Sequence, residues 1–350
     1  MMDDTEKNRI WQKITEYAEA SASELSELRR DFHRHPEPGW MEFRTSGRIA
    51  DLLHLYGCDE VLTDQQVCKA EARMGVPEGG GMTGVIGMLH CGMGPTVALR
   101  FDIDALPVRE CEELDHFPAQ EGFRSEHAGY MHACGHDGHI TVGLGTAKLL
   151  CQMREQLHGT VKFIFQPAEE GVRGARAIVE NGHLEDVDFL LAAHMYGGSE
   201  QHPCGICITA GHGLATTKLD VDFHGKASHA AAAPEQGNNA LLAAATAVLN
   251  LQAIPRHGKA DTRINVGKLV AGSGRNIICD AAHMEFEVRG KTSEANQYMQ
   301  TYAERIVKCA AEMHGCTVET HLMGTALSSS NSSELNERLE QVCAEQLKIP

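Results

Sequence analysis

No stretch of this sequence approaches the ~20 consecutive apolar residues that a membrane-spanning helix needs, and none is predicted to cross a bilayer. The first residues, Met1-Met2-Asp3-Asp4-Thr5-Glu6-Lys7, place acids where a secretory signal needs a basic and then an apolar stretch. A cytoplasmic location is the expectation. Basic runs and arginine stripes are missing too. With 48 acidic against 31 basic residues the net charge is −17, which argues against nucleic acid or an anionic membrane as a partner. There is no G-x-S-x-G elbow, no P-loop, no G-x-G-x-x-G after a strand and no H-E-x-x-H. Serine hydrolases, nucleotide enzymes and zincins therefore lose their main sequence support. The 12 cysteines are too sparse in 350 residues for a secreted disulfide scaffold, so most are expected to be reduced and buried. Cys204-Gly205-Ile206-Cys207 is a C-x-x-C with no second pair, and reads as an incidental strand.

What is present is concentrated. Residues 130 to 139 read Tyr-Met-His-Ala-Cys-Gly-His-Asp-Gly-His, so that His132, Cys134, His136, Asp137 and His139 crowd thiol, imidazole and carboxylate into eight positions. Thiolate and imidazole suit zinc and similar borderline ions, whereas carboxylates suit harder ones such as manganese; the mixture fits a hydrolytic first-row metal. Glycines at 135 and 138 are expected to fold the loop tightly enough for side chains two apart to converge. Cys134 and His136 are the first expected ligand pair. A lone cysteine or histidine is ordinarily a small buried filler; five such residues in one Gly-broken loop are not.

Glu169 and Glu170 supply the other half. They follow Val161-Lys162-Phe163-Ile164-Phe165, an apolar run that reads as a buried strand, and precede a turn into a helix expected from Gly174. Open α/β sheets bind ligands just outside the carboxyl ends of their strands. Adjacent carboxylates repel, so a cation that neutralises one leaves the other free as a general base. Phe189-Leu190-Leu191-Ala192-Ala193 is another short apolar run with His194 at its end, making His194 a further candidate ligand. Thr96 to Phe101 leads into Asp102-Ile103-Asp104, where Asp104 is placed to hold a ligating imidazole in its tautomer.

The rhythm of the chain predicts two parts. Helices over 10–32 and 45–56, strands near 83–90 and 96–101, a helix near 138–153, strand 160–165, helix 174–182 and strand 189–194 alternate as α/β, with 62–82 as a loop or insertion. From about 214 the order becomes βαββαβ: strand 218–223, helix 239–254, strands 264–270 and 283–288, helix 293–314, strand 317–323. That order matches a ferredoxin-like sandwich. A final helix is expected over 335–347.

Together, Phe101-Asp102-Ile103-Asp104-Ala105-Leu106-Pro107, the run from Met131 to His139, Phe165-Gln166-Pro167-Ala168-Glu169-Glu170-Gly171 and Gly272-Ser273-Gly274-Arg275-Asn276 resemble the aminoacylase and carboxypeptidase-type dinuclear metallohydrolases, in the branch with a cysteine ligand. Arg29-Arg30-Asp31-Phe32-His33 with Gly39-Trp40, and Arg73 to Pro77, extend the likeness, which runs from about residue 25 to about 325.

The resemblance implies a mixed-sheet α/β catalytic domain, 1–213 plus 325–350, with an inserted ferredoxin-like satellite, 214–324, that pairs subunits into a homodimer or a heterodimer with a related chain. It implies two divalent ions, Mn²⁺ or Zn²⁺. Cys134 would bridge them as thiolate, His136 and His194 would complete one side, Glu170 would hold the other, and Glu169 would be the general base. It also implies that His229, in Lys226-Ala227-Ser228-His229, reaches a neighbouring chain's site, that Asn276 hydrogen-bonds substrate, and that Arg289 pairs with the substrate carboxylate. The implied substrate is the amide of an N-acyl amino acid, glutamate under an aromatic acyl group. Broader N-acyl-amino-acid or peptide hydrolysis is the alternative, and a non-catalytic binding or regulatory paralogue a third.

The family supplies one more metal-binding histidine near its C-terminus. His314 and His321, the only histidines beyond residue 283, sit in periodic segments that read as scaffold, and a truncated chain is the expectation.

Overall fold

The computed structural model describes residues 4–113, 115–196, 205–208 and 212–347. The chain divides into two compact units, the first ending at Gly205 and the second running from Ile206. Among the described residues no helix is long and apolar enough to cross a membrane.

The first unit contains, in order, α1 (Asp4–Arg34), α2 (Phe43–Tyr56), β1 (Glu60–Thr63), β2 (Val85–His90), β3 (Thr96–Asp102), α3 (Phe117–Gln120), α4 (His136–Gln152), β4 (Thr160–Gln166), α5 (Ala175–Val179) and β5 (Phe189–Ala192). Its strands form one mixed sheet in the order β1-β2-β4-β3-β5. β1 and β2, and β2 and β4, run antiparallel; β3 lies parallel to both β4 and β5. The three parallel strands thus end on one edge of the sheet, and Asp104, Glu169 and His194 all follow those ends.

Both faces of β4 are covered, which explains its unbroken apolar run. Phe163 and Phe165 pack with Phe32, Ile49, Leu53, Ile140 and Leu144 from α1, α2 and α4. Ile164, pointing the other way, packs with Trp40, Val67, Ile86, Ala177 and Ile178. Phe163 and Phe165 are fully buried, and truncating either to alanine is expected to cost about 3–5 kcal/mol.

Three expectations need correction. The segment 62–82 is not wholly loop: Leu62 and Thr63 belong to β1, which pairs with β2, and two 3₁₀ turns follow at 64–66 and 70–72. Four residues are too few to carry a legible alternation. The helix expected over 174–182 is the single turn and a half of α5, with the backbone turning at Asn181 and Gly182. Of the 11 described cysteines, all unpaired, only Cys68, Cys279 and Cys316 are buried, and Cys111, Cys207 and Cys309 are exposed. Cys204 lies outside the described residues, and 205–208 belong to no strand, contrary to the incidental strand expected there.

The second unit contains β6 (His212–Gly213), β7 (Ala215–His224), α6 (Ala240–Gln252), β8 (Thr262–Ala271), β9 (Ala281–Gly290), α7 (Ser293–Met313), β10 (Thr317–Ala326), β11 (Ser329–Ser330) and α8 (Ser333–Val342). β7, β8, β9 and β10 form an antiparallel sheet in the order β10-β7-β9-β8, the order of a ferredoxin-like sandwich. Alternation along β7 and β9 turns Leu219, Val221, Phe223, Met284, Phe286 and Val288 onto a core shared with Ala240, Ala244 and Ala247 of α6 and Met299 and Ala303 of α7. The small alanines let α6 lie close to the sheet. Asn239 caps α6 by accepting from the Leu241 and Leu242 amides, and Thr292 caps α7 by accepting from Ala295. The opposite face of the sheet carries Lys218, Asp220, Asp222, His283, Glu285, Glu287 and Arg289.

Candidate metal centre

The loop between α3 and α4 delivers the first candidate ligands by a sharp turn. Gly135 sits at φ 82°, a left-handed conformation that a side chain resists, and hands the chain directly into α4, so that His136 begins the helix. Gly138 is already helical; its missing Cβ leaves room for the sulfur of Met195 rather than bending the loop, contrary to the expected role.

Three groups of donors converge around His136. Ligand atoms of Cys134, His136 and His194 lie within 4.8 Å of one another, as do those of His136, Glu169 and Glu170, and those of Asp102, His136 and His139. Sγ of Cys134 is 3.4 Å from Nε2 of His194. Nε2 of His136 is 3.9 Å from a carboxylate oxygen of Glu169 and 3.9 Å from Oε1 of Glu170. Both imidazoles are oriented the same way. Nδ1 of His136 lies 2.7 Å from the Asp104 carbonyl and Nδ1 of His194 lies 2.6 Å from the Met195 carbonyl. A carbonyl only accepts, so each Nδ1 carries a proton and Nε2 is the nitrogen turned inward, free to offer a lone pair once a cation displaces any proton there.

Asp104 does more than the sequence suggested. Its backbone carbonyl, not its carboxylate, fixes the His136 tautomer, the carboxylate being 3.4 Å away. The carboxylate accepts instead from the amides of Glu169 at 2.9 Å and Glu170 at 3.0 Å.

Of the remaining loop residues, Asp137 accepts from Arg29 at 3.1 Å and lies 2.9 Å from Nδ1 of His33, whose Nε2 contacts Glu110 at 3.0 Å. His139 donates through Nδ1 to Asp102 and accepts at Nε2 from the Met195 amide at 2.7 Å. His132 is buried with neither ring nitrogen partnered, and burial pushes its pKa down to about 4, so it stays neutral.

The protonation pattern is that of a pocket with excess negative charge. Burial, and then the Glu170 carboxylate, push the Cys134 thiol up to about 12. Burial disfavours the His136 imidazolium, but the Asp104 carboxylate 3.4 Å from Nδ1 and the charges of Asp102 and Glu169 outweigh it and raise the group to about 9. Burial and the neighbouring Asp102, Asp104 and Glu170 raise Glu169 against the pull of Arg100. Divalent cations reverse this logic, replacing protons on thiol and imidazole. Three buried atoms in the cluster, Nε2 of His136, Oε1 of Glu170 and Oδ2 of Asp102, have no hydrogen-bond partner, although the last lies 2.8 Å from the Arg100 guanidinium. Orphaned buried donors and acceptors cost free energy unless something satisfies them, and a mixed S, N and O set facing inward fits a divalent first-row ion.

Known proteins are similar to this chain in sequence and in fold. The model of Peptidase family M20/M25/M40 matches residues 98–349. This chain belongs to that family. It is a metal-dependent amidohydrolase by that membership. It is 42% identical to a p-aminobenzoyl-glutamate hydrolase chain of Escherichia coli, the A-type member of that enzyme, over 92% of this chain and 79% of that protein. It is also 42% identical to the indole-3-acetyl-aspartic acid hydrolase of Enterobacter agglomerans, over 91% of this chain and 78% of the other. Among solved structures, the aminobenzoyl-glutamate utilization protein of Klebsiella pneumoniae superposes with a TM-score of 0.78 at 37% identity, covering 95% of this chain and 83% of that one. A dinuclear metal-binding M20 peptidase of Bacillus subtilis superposes at 0.62 with 30% identity, covering 95% and 81%.

The second unit carries the other expected site residues. His229 is exposed and accepts at Nδ1 from the Ala231 and Ala232 amides at 3.2 and 3.1 Å. Asn276 lies on the neighbouring loop, its carbonyl accepting from the Ala230 amide at 3.0 Å, so the two loops are tied together. Arg289 projects from β9 and contacts Glu287 through Nε at 2.9 Å and Nη2 at 3.2 Å. The same sheet face brings Asp220, His283 and Glu285 within ligand distance of one another, with Lys268 already bonded to Glu285 at 2.6 Å.

Sequence reasoning missed Glu42, Asp102 and the pair His33 and Glu110. Asp102 had a signal, since it precedes Asp104 by two on an extended segment. Glu42 belonged to no ligand motif, although it stands between Met41 and Phe43; it is fully buried beside Asp104, and burial with that charge pushes its carboxyl up to about 8.

Proposed function

We propose that this protein hydrolyses the amide of an N-acyl amino acid with an aromatic acyl group and an acidic amino acid, p-aminobenzoyl-glutamate first, at a centre of two divalent ions, Mn²⁺ or Zn²⁺. The observation that carries the reading is the pair of imidazoles, His136 and His194, each held by a backbone carbonyl with Nε2 turned toward Cys134 or the glutamates. Cys134, His136, His194 and Glu170 would hold the ions. When bound, these supply Lewis-acid polarisation of water and of the substrate carbonyl.

Glu169 acts as the base, taking a proton from the attacking water and passing it to the leaving amine nitrogen. Distance does not distinguish the two glutamates, both being 3.9 Å from His136. Two other facts favour the assignment. Oε1 of Glu170 is buried and unpartnered, as suits an ion ligand, and burial with its acidic neighbours raises the Glu169 carboxyl, which strengthens it as a proton acceptor. Asp104 holds both glutamates through their amides and His136 through its carbonyl.

Residues 214–324 form the satellite, and His229, Asn276 and Arg289 read the substrate, His229 across a dimer. Two observations support pairing with a related chain or with a copy of this one. β8 is an edge strand carrying exposed Leu269 and Val270, and α6 exposes Leu241, Leu242 and Leu249. The Escherichia coli relative is also named as one subunit of its hydrolase.

A broader specificity is the second reading, favoured by equal 42% identity to enzymes named for a glutamate and for an aspartate conjugate. Measuring kcat/KM for p-aminobenzoyl-glutamate and indole-3-acetyl-aspartate on Mn²⁺-loaded and Zn²⁺-loaded protein tests both. A ratio above about 10² for the first supports the primary reading, a ratio near one supports the second, and no metal-dependent turnover of either overturns both.

A further inference from the structure

Three consecutive amides hold the loop that presents the two glutamates. The Ala168 amide donates to Oε1 of Glu42 at 2.7 Å, the Glu169 amide to Oδ1 of Asp104 at 2.9 Å, and the Glu170 amide to Oδ2 of Asp104 at 3.0 Å. Ala168 itself sits at φ 47°, a left-handed conformation that an alanine adopts only when its surroundings enforce it. Glu42 is fully buried at the start of α2, and its second oxygen accepts from the Thr83 hydroxyl at 2.7 Å. Thr83 lies in the turn just before β2, so Glu42 ties the loop after β4 to the adjacent strand of the sheet.

We propose that Glu42 is a positioning residue for the hydrolysis: by fixing the Ala168 amide against Thr83 it holds the backbone that aims the Glu169 carboxylate. The inference rests on Glu169 being the base. Asp104 alone constrains the amides of 169 and 170, but the torsion that decides where Glu169 points is set one residue earlier, at Ala168. Without the Glu42 acceptor, a buried amide would be left unpaired next to a strained alanine, and relaxation of that strain turns the loop. Misplacement by about 1 Å is enough to cost on the order of 10²-fold in rate.

Glutamine separates geometry from charge, since its Oε1 still accepts from Ala168 and its amide donates to the Thr83 hydroxyl. Glu42→Gln should therefore keep kcat within about threefold of wild type, whereas Glu42→Ala should lower kcat on the order of 10- to 100-fold per metal-loaded site with KM little changed. Hydrogen exchange on metal-free protein gives a readout independent of turnover: the amides of 168–170 should be protected in wild type and in Glu42→Gln, and should exchange faster in Glu42→Ala. Should Glu42→Ala not fold, Thr83→Val decides, and a several-fold fall in kcat is expected. A folded Glu42→Ala protein with wild-type kcat and wild-type exchange, a Glu42→Gln protein as impaired as the alanine variant, or a Thr83→Val protein of unchanged kcat where the alanine variant is lost, overturns the proposal. Glu169→Gln is measured alongside. Full activity there removes the base itself, while an inactive Glu169→Gln beside an unimpaired Glu42→Ala removes only the inference about Glu42.

Discussion

Nε2 of His136 and Oε1 of Glu170 face each other 3.9 Å apart, both buried and neither with a hydrogen-bond partner. Two unsatisfied polar atoms so placed are too far apart to hydrogen-bond each other, and each would be satisfied by the divalent ions that this centre would hold.

Metal retention should follow the donors. Cys134→Ser replaces a soft thiolate by a hydroxyl that ionises far less readily, and should lower metal affinity on the order of 10- to 100-fold. Cys68→Ser, at a buried cysteine outside the cluster, should leave metal content unchanged. Elemental analysis after dialysis against graded chelator checks both, and equal retention by the two variants refutes a ligand role for Cys134.

The two glutamates should separate by readout. Glu169→Gln should keep metal and substrate binding while losing turnover by on the order of 10² to 10⁴; Glu170→Gln should lose metal as well. Metal loss of the same size in both would mean that the roles are exchanged or shared.

Stability of the metal-free protein should fall as pH rises through the range set by Glu42. Its folded-state pKa, about 8, lies above the 4.5 of an unburied glutamate. A carboxyl that holds its proton more tightly when folded contributes its stability in full below the unfolded value and loses it as pH climbs through the folded one. Thermal melts of wild type should therefore decline between about pH 4.5 and pH 8 more steeply than those of Glu42→Gln, which cannot ionise. Parallel curves would show that this carboxyl is not the group responsible.

Arg289→Lys keeps the charge and loses the planar fork. KM for an acyl-glutamate should rise about tenfold with kcat changed less. An unchanged KM would place carboxylate recognition elsewhere.

If His229 serves a neighbouring chain's site, equal mixing of inactive Glu169→Gln and inactive His229→Ala chains should restore about a quarter of wild-type activity, since half the dimers are mixed and each has one intact site. No recovery on mixing chains shown to exchange would refute the shared site.

The sequence made some layers legible and hid others for physical reasons. β4 could be read from Val161 to Phe165 because burial on both faces leaves no polar position, and α6 from Ala240 to Gln252 because an asparagine cap opens an alanine-rich run. The cluster of Cys134, His136, Glu169, Glu170 and His194 was visible because each residue follows a strand end or flanks the turn at Gly135 in a local motif. β1 was not, since an edge strand of four residues has no room for a pattern. Glu42 was hidden for a different reason. Its partners, Thr83 and Ala168, stand 41 and 126 positions away, and only the folded chain reveals which groups this glutamate meets.

Arg289 meets solvent with its fork already closed on Glu287, and Glu287 is shared with Lys218 at 2.8 Å. An incoming carboxylate at this guanidinium would swap partners instead of adding one, and Lys218 stands ready to keep the displaced glutamate. Arg289, Lys218 and Glu287 together carry one net positive charge, so capture of a carboxylate there should still weaken as salt screens it. The resident glutamate also sets a threshold: chloride or a singly contacting anion gains little by evicting a two-pronged partner. On a chain of net charge −17, any anion that reaches this guanidinium would have to compete with the Glu287 carboxylate for it.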